Sequence, residues 1–248
     1  FLCVPGRSYS CFMTDAEIPR RPEGGRMRPE GARAVKPRDA ATIILVRRDA
    51  AKPRVLMGKR NSGHDFMPNL WVFPGGRIDR ADFRAPHATD LRPEVAAKFD
   101  RHIKRGRGQA LALAAIRETF EEAGLLLAKA APPRPGVGPW REFLAQGALP
   151  DLEAMEIIAR AVTPPMLAKR FDTWFLMADA ERLISLDRQP DCGELEEIAW
   201  VDFDDALGLE LPMVTRTMIK EAVLRLDDPE RPSPYMRFGV KGHKVAHL

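Results

Sequence analysis

A helix expected over residues 109–123 (QALALAAIRETFEEA) constrains this chain more than any other stretch. Its first two turns are Ala and Leu, strong helix formers, and Gly124 follows where a C-cap belongs. The pattern then turns abruptly charged: Arg117-Glu118-Thr119-Phe120-Glu121-Glu122. Glu118 and Glu121 are three residues apart, and Glu118 and Glu122 four, so all three carboxylates leave one sector of the helix. Like charges at that spacing repel, and they lie near the helix C-terminus, where the macrodipole disfavours negative charge. A hard divalent cation with oxygen ligands would relieve the crowding. Arg117, four residues before Glu121, is placed to orient a carboxylate through a bidentate pair. Taken alone, the same letters also describe a solvated acidic helix end.

Such a helix needs a sheet to cover. Ala41–Arg47 (ATIILVR) is a continuous β-branched run typical of a buried strand, and Arg54–Lys59 reads as a second strand. Trp71–Phe73 runs into Pro74-Gly75-Gly76, a break that demands unusual backbone. A Gly-Gly turn at a strand end, ahead of a helix, is a common phosphate-handling arrangement. Residues 83–108 are charged and irregular, with a short helix expected from Pro93 to Lys104. A helix near 151–161 is expected next, then strands at Phe171–Met177 and Glu197–Val201, and a closing amphipathic helix at Met213–Leu226. Strands mixed with helices point to α/β or α+β layering around one sheet.

The 248 residues allow one large domain or two small ones. With 45% hydrophobic and 30% charged residues, a disordered chain, a collagen-like fibre and a disulfide mini-protein are excluded. The net charge of +4 is uneven: residues 1–40 hold eight basic and five acidic side chains. That segment has five prolines and four glycines and reads as a flexible leader. No element clusters Lys and Arg with aromatics, so a nucleic-acid partner is not expected. No apolar run approaches a membrane span. Cys3, Cys11 and Cys192 share no metal-type spacing and read as free thiols of a reducing compartment.

Residues 117–125 (RETFEEAGL) resemble the second half of the Nudix box, R-E-U-x-E-E-x-G-U, with Thr119 at a position usually aliphatic. Phe73-Pro74-Gly75-Gly76 resembles the strand end and glycine that open the box. Asp82 stands where the box places its first Glu. Between Asp82 and Arg117 lie 34 residues where the box has seven, an insertion placed at 83–108. A long insertion here is similar to the peroxisomal-type coenzyme A and acyl-coenzyme A diphosphatases. Phe66-Met67-Pro68, Ala115–Gly124, Thr163-Pro164-Pro165 and Arg170-Phe171-Asp172-Thr173 fit that group as well. Against the signature of the bacterial-type coenzyme A diphosphatases, Asp65 replaces an Arg and Asn69 a Gly.

The resemblance implies an α/β/α sandwich with a mixed central sheet: a leader at 1–40, one domain at 41–230 and a C-terminal tail at 231–248. It implies Mg²⁺ or Mn²⁺ held by Glu118, Glu121, Glu122 and the Gly75 carbonyl, with Glu194 as a further ligand. Glu121 is the preferred general base, and Arg117 holds a glutamate in place. Arg60, Arg77, Gly76 and Arg170 are candidates to meet substrate phosphates. The implied activity is hydrolysis of a nucleoside diphosphate linked to another moiety, coenzyme A or its acyl esters first. ADP-ribose, a nucleotide sugar or a dinucleotide is the alternative, and a non-catalytic nucleotide-binding regulatory domain is an alternative of another class. Many members are dimers, so a homodimer is compatible with the resemblance. An Arg count of 29 against ten Lys suits a bacterial cytoplasmic protein, while Ala246-His247-Leu248 resembles a degenerate peroxisomal address.

Overall fold

The apolar run at 41–47 becomes the middle of strand β1 (Arg38–Arg47) because both of its faces find cover. The computed structural model describes residues 25–63, 67–188, 195–239 and 242–248. In it Ala41, Ile43 and Leu45 join one core cluster, and Ile44 and Val46 join the other. Along the chain follow β2 (Arg54–Arg60), β3 (Trp71–Val72), β4 (Gly75–Arg77), α1 (Pro93–Asp100) and α2 (Arg107–Ala123). Next come β5 (Ala128–Ala130), α3 (Arg141–Ala145), β6 (Ala148–Pro150), β7 (Glu156–Val162) and β8 (Phe171–Asp179). The last are β9 (Leu195–Asp202), α4 (Phe203–Ala206), α5 (Met213–Asp227), β10 (Pro234–Gly239) and β11 (Gly242–His247).

The main sheet runs β11-β10-β7-β8-β1-β2-β3, with β4 on β1 and β9 on β2, while β5 and β6 pair separately. It is mixed: β1 is parallel to β8 and β10 to β7, whereas β7–β8 and β1–β2 are antiparallel. α2 covers one face through Leu111, Leu113, Ile116 and Phe120. α5 covers the other through Met218, Ile219 and Ala222. The result is the expected α/β/α layering.

One irregularity in the ladder positions the site. β1 pairs with β4 near its start (Ala40↔Arg77, Ala41↔Gly76, Thr42↔Gly75) and with β2 at its end (Val46↔Val55, Arg47↔Arg54). The sheet forks between β1 and β2, and the Gly75-Gly76 turn sits in the fork. A Cβ on Gly75 would lie 2.5 Å from the Ala41 carbonyl oxygen and 2.6 Å from Thr42 Cα. Only a residue without a side chain lets β4 approach β1 so closely. α2 is bounded by two left-handed glycines, Gly106 (φ 80°) and Gly124 (φ 67°), and the Gly124 amide donates to the Phe120 carbonyl.

Three expectations change. The helix expected near 151–161 is instead a short 3₁₀ turn, Leu152–Ala154, followed by β7. Ile157, Ile158, Ala159, Ala161 and Val162 are buried between β8 and β10. That two-sided burial suits β-branched residues on a pleated surface, so the tertiary setting outweighs the helical letters of Leu152–Met155. Residues 231–248, expected as a tail, extend the sheet: β10 pairs with β7 and β11 with β10 (Tyr235↔Ala246 through Gly239↔Gly242). Burial of Met236 against the α5 face accounts for the gain. Part of the second half of the leader is tied to the domain by its backbone: Arg28 donates its amide to Met166, Ala168 donates to Arg26, and Met27 bridges Leu167. Residues 1–24 lie outside the described residues.

The 83–108 segment builds core. Phe99 of α1 is buried, 4.7 Å from the Trp174 ring, and packs against Gly108, where a Cβ would come within 2.4 Å of it. Among the described residues no helix is long and apolar enough to cross a membrane.

Candidate active site

The fork brings the α2 carboxylates to the glycine turn. Glu122 is buried and its Oε2 accepts a hydrogen bond from the Gly75 amide at 3.0 Å. Glu118 lies against Gly76 so closely that a Cβ there would sit 2.3 Å from its carboxylate. The two consecutive glycines serve different ends: Gly75 lets β4 approach β1, and Gly76 leaves the Glu118 carboxylate its place. Thr119, the departure from the aliphatic pattern, is fully buried and satisfies its hydroxyl on the Ala115 carbonyl at 2.7 Å.

Arg117 is the hub beneath them. Its Nε and Nη2 reach the two oxygens of Asp82 at 3.0 and 3.2 Å. Its Nη1 donates to Glu118 at 2.9 Å and to Glu121 at 2.8 Å, and Nη2 also donates to the Arg77 carbonyl at 3.0 Å. The arginine side chain is 5% exposed and Asp82 not at all. Burial opposes the guanidinium charge, but the carboxylates of Asp82, Glu118 and Glu121 outweigh it and hold Arg117 above its ordinary value. The forked pair that the sequence suggested for a helix glutamate thus belongs to Asp82, and each glutamate receives a single bond. Asp82 is further held by the Trp140 indole N–H at 2.9 Å and the Asp79 amide at 2.7 Å. Sequence reasoning found Asp82 by counting and missed Trp140, although a tryptophan with a buried N–H needs an acceptor.

Glu121 is the most exposed of the three glutamates flanking this arginine. Burial pushes its carboxyl above the ordinary range, Arg117 pulls it back, and the Glu118 charge raises it again. Glu118, Glu122, Gly75 and Gly76 line a cleft of about 290 Å³, together with Arg60 and Arg77. Arg170 does not line it: its guanidinium donates to the backbone carbonyls of Thr163 (3.1 Å) and Val35 (2.8 Å). Burial, with Arg28 nearby, lowers its pKa. Glu194 lies outside the described residues, and its neighbours Glu196 and Glu197 are exposed on β9. The 83–108 segment supplies none of the cleft-lining residues.

The donor set suits a cation of a particular kind. Among the described residues no three His, Cys, Asp or Glu side chains gather into a preformed cage. Two carboxylates face the cleft beside a glycine turn, all hard oxygen donors. Mg²⁺ is commonly held in this way, by one or two carboxylates with water and substrate phosphates completing the octahedron.

Comparisons with known proteins identify the family. The NUDIX domain model matches residues 36–221. The chain is 32% identical over 167 residues to the acyl-coenzyme A diphosphatase NUDT19 of Gallus gallus, covering 52% of this chain and 42% of that protein. It is 29% identical over 206 residues to the protein of the same name from Homo sapiens, covering 56% and 55%. The chain spans about half the length of the curated relatives it matches. A NUDIX hydrolase of Alicyclobacillus acidocaldarius superposes with a TM-score of 0.55 at 25% identity, over 78% of this chain and 96% of that one. With the glycine turn, the glutamate helix and the family model all falling within one stretch of sequence, the chain belongs to the Nudix family.

Proposed function

We propose that this protein is a metal-dependent diphosphatase acting on coenzyme A or acyl-coenzyme A, giving 4′-phosphopantetheine or its acyl form and 3′,5′-ADP. One observation carries the reading: a single cleft joins the carboxylates of Glu118 and Glu122 and two arginines to an apolar wall. A substrate with a diphosphate at one point and an apolar arm beyond it fits such a cleft. The names of the avian and human relatives support the same substrate class.

In this proposal Glu118, Glu122 and the Gly75 carbonyl hold Mg²⁺ or Mn²⁺, with Glu121 as base or further ligand. The bound ion would supply charge neutralisation of the diphosphate and would polarise a bound water, whose proton a general base such as Glu121 would then take. The chain itself fixes the two glutamates on a rigid helix, with Arg117 and the Gly75 amide holding their orientations. Arg60 and Arg77 line the cleft where they can meet phosphate oxygens.

The test is a panel of coenzyme A, acyl-coenzyme A, ADP-ribose, NADH and diadenosine polyphosphates with Mg²⁺, followed by chromatography of the products. The expected result is 3′,5′-ADP from the coenzyme A esters, abolished by EDTA. Turnover of ADP-ribose without any coenzyme A ester would move the substrate to the nucleotide sugars. Nucleotide binding with no turnover of the whole panel would replace the enzyme by a regulatory domain.

Gly76→Ala probes the proposed geometry. The added methyl displaces the Glu118 carboxylate, whose flexible end gives way. The expected loss in kcat/KM is on the order of tenfold, from misplacement of a catalytic group. The melting temperature should move little, because the turn is solvent-facing on one side. Unchanged kinetics would mean that the position of Glu118 does not matter.

A further inference from the structure

The charges lining the cleft are unevenly distributed. All four charged residues, Arg60, Arg77, Glu118 and Glu122, come from β2, β4 and α2. The wall made by β8, β7, β10 and the 163–170 loop contributes none; its principal members are Val162, Pro164, Leu167, Phe171, Phe175 and Phe238. In strand order this wall begins two strands from β4 and ends on β10. At about 4.8 Å per strand, four steps separate β4 from β10 by roughly 19 Å.

Two of the polar groups beside that wall are already engaged. The Thr163 hydroxyl accepts from the Phe171 amide at 3.0 Å, and Arg170 is bound to two backbone carbonyls. Arg237 neighbours Phe238 but points to the opposite face of β10, over the Tyr235 ring at 5.2 Å. A nucleotide carrying a 3′-phosphate would be desolvated against this wall with no cleft-lining cation of the wall to meet it. An alkyl arm loses nothing there and gains burial. The wall is also braced from outside. Met27 bridges Leu167, and a Cβ on Gly25 would touch the Leu167 side chain at 2.9 Å.

From this asymmetry, and resting on the coenzyme A reading above, we propose that the β8–β7–β10 wall takes the acyl-pantetheine arm and that Phe238 sets the acyl length accepted. The nucleotide then lies toward Arg60 and Arg77. Phe238 is the outermost cleft-lining residue of the wall in strand order, supplied by the C-terminal hairpin.

The experiment measures kcat/KM for acetyl-, octanoyl- and palmitoyl-coenzyme A, each divided by the value for free coenzyme A with the same variant. Buried methylenes should raise this ratio by about fourfold each until the path is filled. Beyond that the ratio should level. Phe238→Ala should move the plateau to longer chains and Phe238→Trp to shorter ones. Phe238→Leu, which keeps an apolar β10, serves if the alanine variant does not fold, and should move it in the alanine direction. Identical length profiles in all variants, with coenzyme A still cleaved, overturn the role of Phe238 while the substrate reading stands. A ratio near one at every length overturns the placement of the arm. Turnover of ADP-ribose alone overturns the substrate reading itself, and the inference with it.

Discussion

Arg117→Ala should be strongly destabilising. It removes the partner of a carboxylate, Asp82, that is fully buried. It also strips the shared donor from Glu118 and Glu121, whose repulsion three residues apart is then unopposed. Breaking a buried ion pair from one side costs about 3–5 kcal/mol, because the remaining charge stays buried and uncompensated. At about 2–4 °C per kcal/mol for a domain of this size, the melting temperature should fall by roughly 6–20 °C. Arg117→Lys should recover part of this, since an ammonium keeps the charge but cannot make the fork to both Asp82 oxygens. Asp82→Asn should cost less than Arg117→Ala, for the amide oxygen still accepts from Trp140 and Arg117 keeps its two glutamates. In a double-mutant cycle with Asp82→Leu and Arg117→Met, the combined loss should be well below the sum of the singles. Thermal denaturation of the four proteins decides the matter. A melting temperature for Arg117→Ala within about 2 °C of wild type would show that the pair contributes little to folding.

This hub also shows what the sequence discloses and what it hides. β1 and α2 were legible because their signals are local: an unbroken β-branched run, and an Ala/Leu period ending in a glycine. The glutamate sector followed from helical spacing. The partner of Arg117 did not, because Asp82 lies 35 residues upstream, and Trp140, which shares it, is 58 residues away from Asp82. No periodicity links such positions; only the packing of the 80–83 turn against α2 and the 138–140 turn brings them together. β7 was misread for a related reason. Its isoleucines and alanines fit a buried helix or a buried strand equally well, and the neighbours β8 and β10 decide. β10 carries little signal of its own, and its place depends on an open edge beside β7. Arg170 resembled a phosphate ligand by motif, but Val35 and Thr163 engage it first.

The proposed chemistry makes its strongest demand on the two glutamates facing the cleft. Glu122→Gln keeps an oxygen to accept from the Gly75 amide and so preserves the turn, while losing the negative charge. Glu118→Gln likewise keeps its volume beside Gly76. Each should lower kcat/KM on the order of a hundredfold or more, about 2.7 kcal/mol of transition-state stabilisation, if the charge holds a cation at the diphosphate. Without metal the Glu122→Gln fold should be as stable as wild type or more so, since one of three crowded carboxylates has been neutralised, whereas Glu118→Gln also gives up its ion pair with the buried Arg117 and should be somewhat less stable. Added Mg²⁺ should raise the melting temperature of the wild type by binding the native state, and should fail to do so in either variant. Glu121→Gln separates the remaining roles. As a base, Glu121 contributes to kcat alone, so its glutamine variant should lose rate yet keep the Mg²⁺-dependent stabilisation. As a ligand, it should lose both, as Glu118 and Glu122 do. Full activity in Glu118→Gln and Glu122→Gln would leave these carboxylates with a structural role at the glycine turn, and would remove the metal from the proposal.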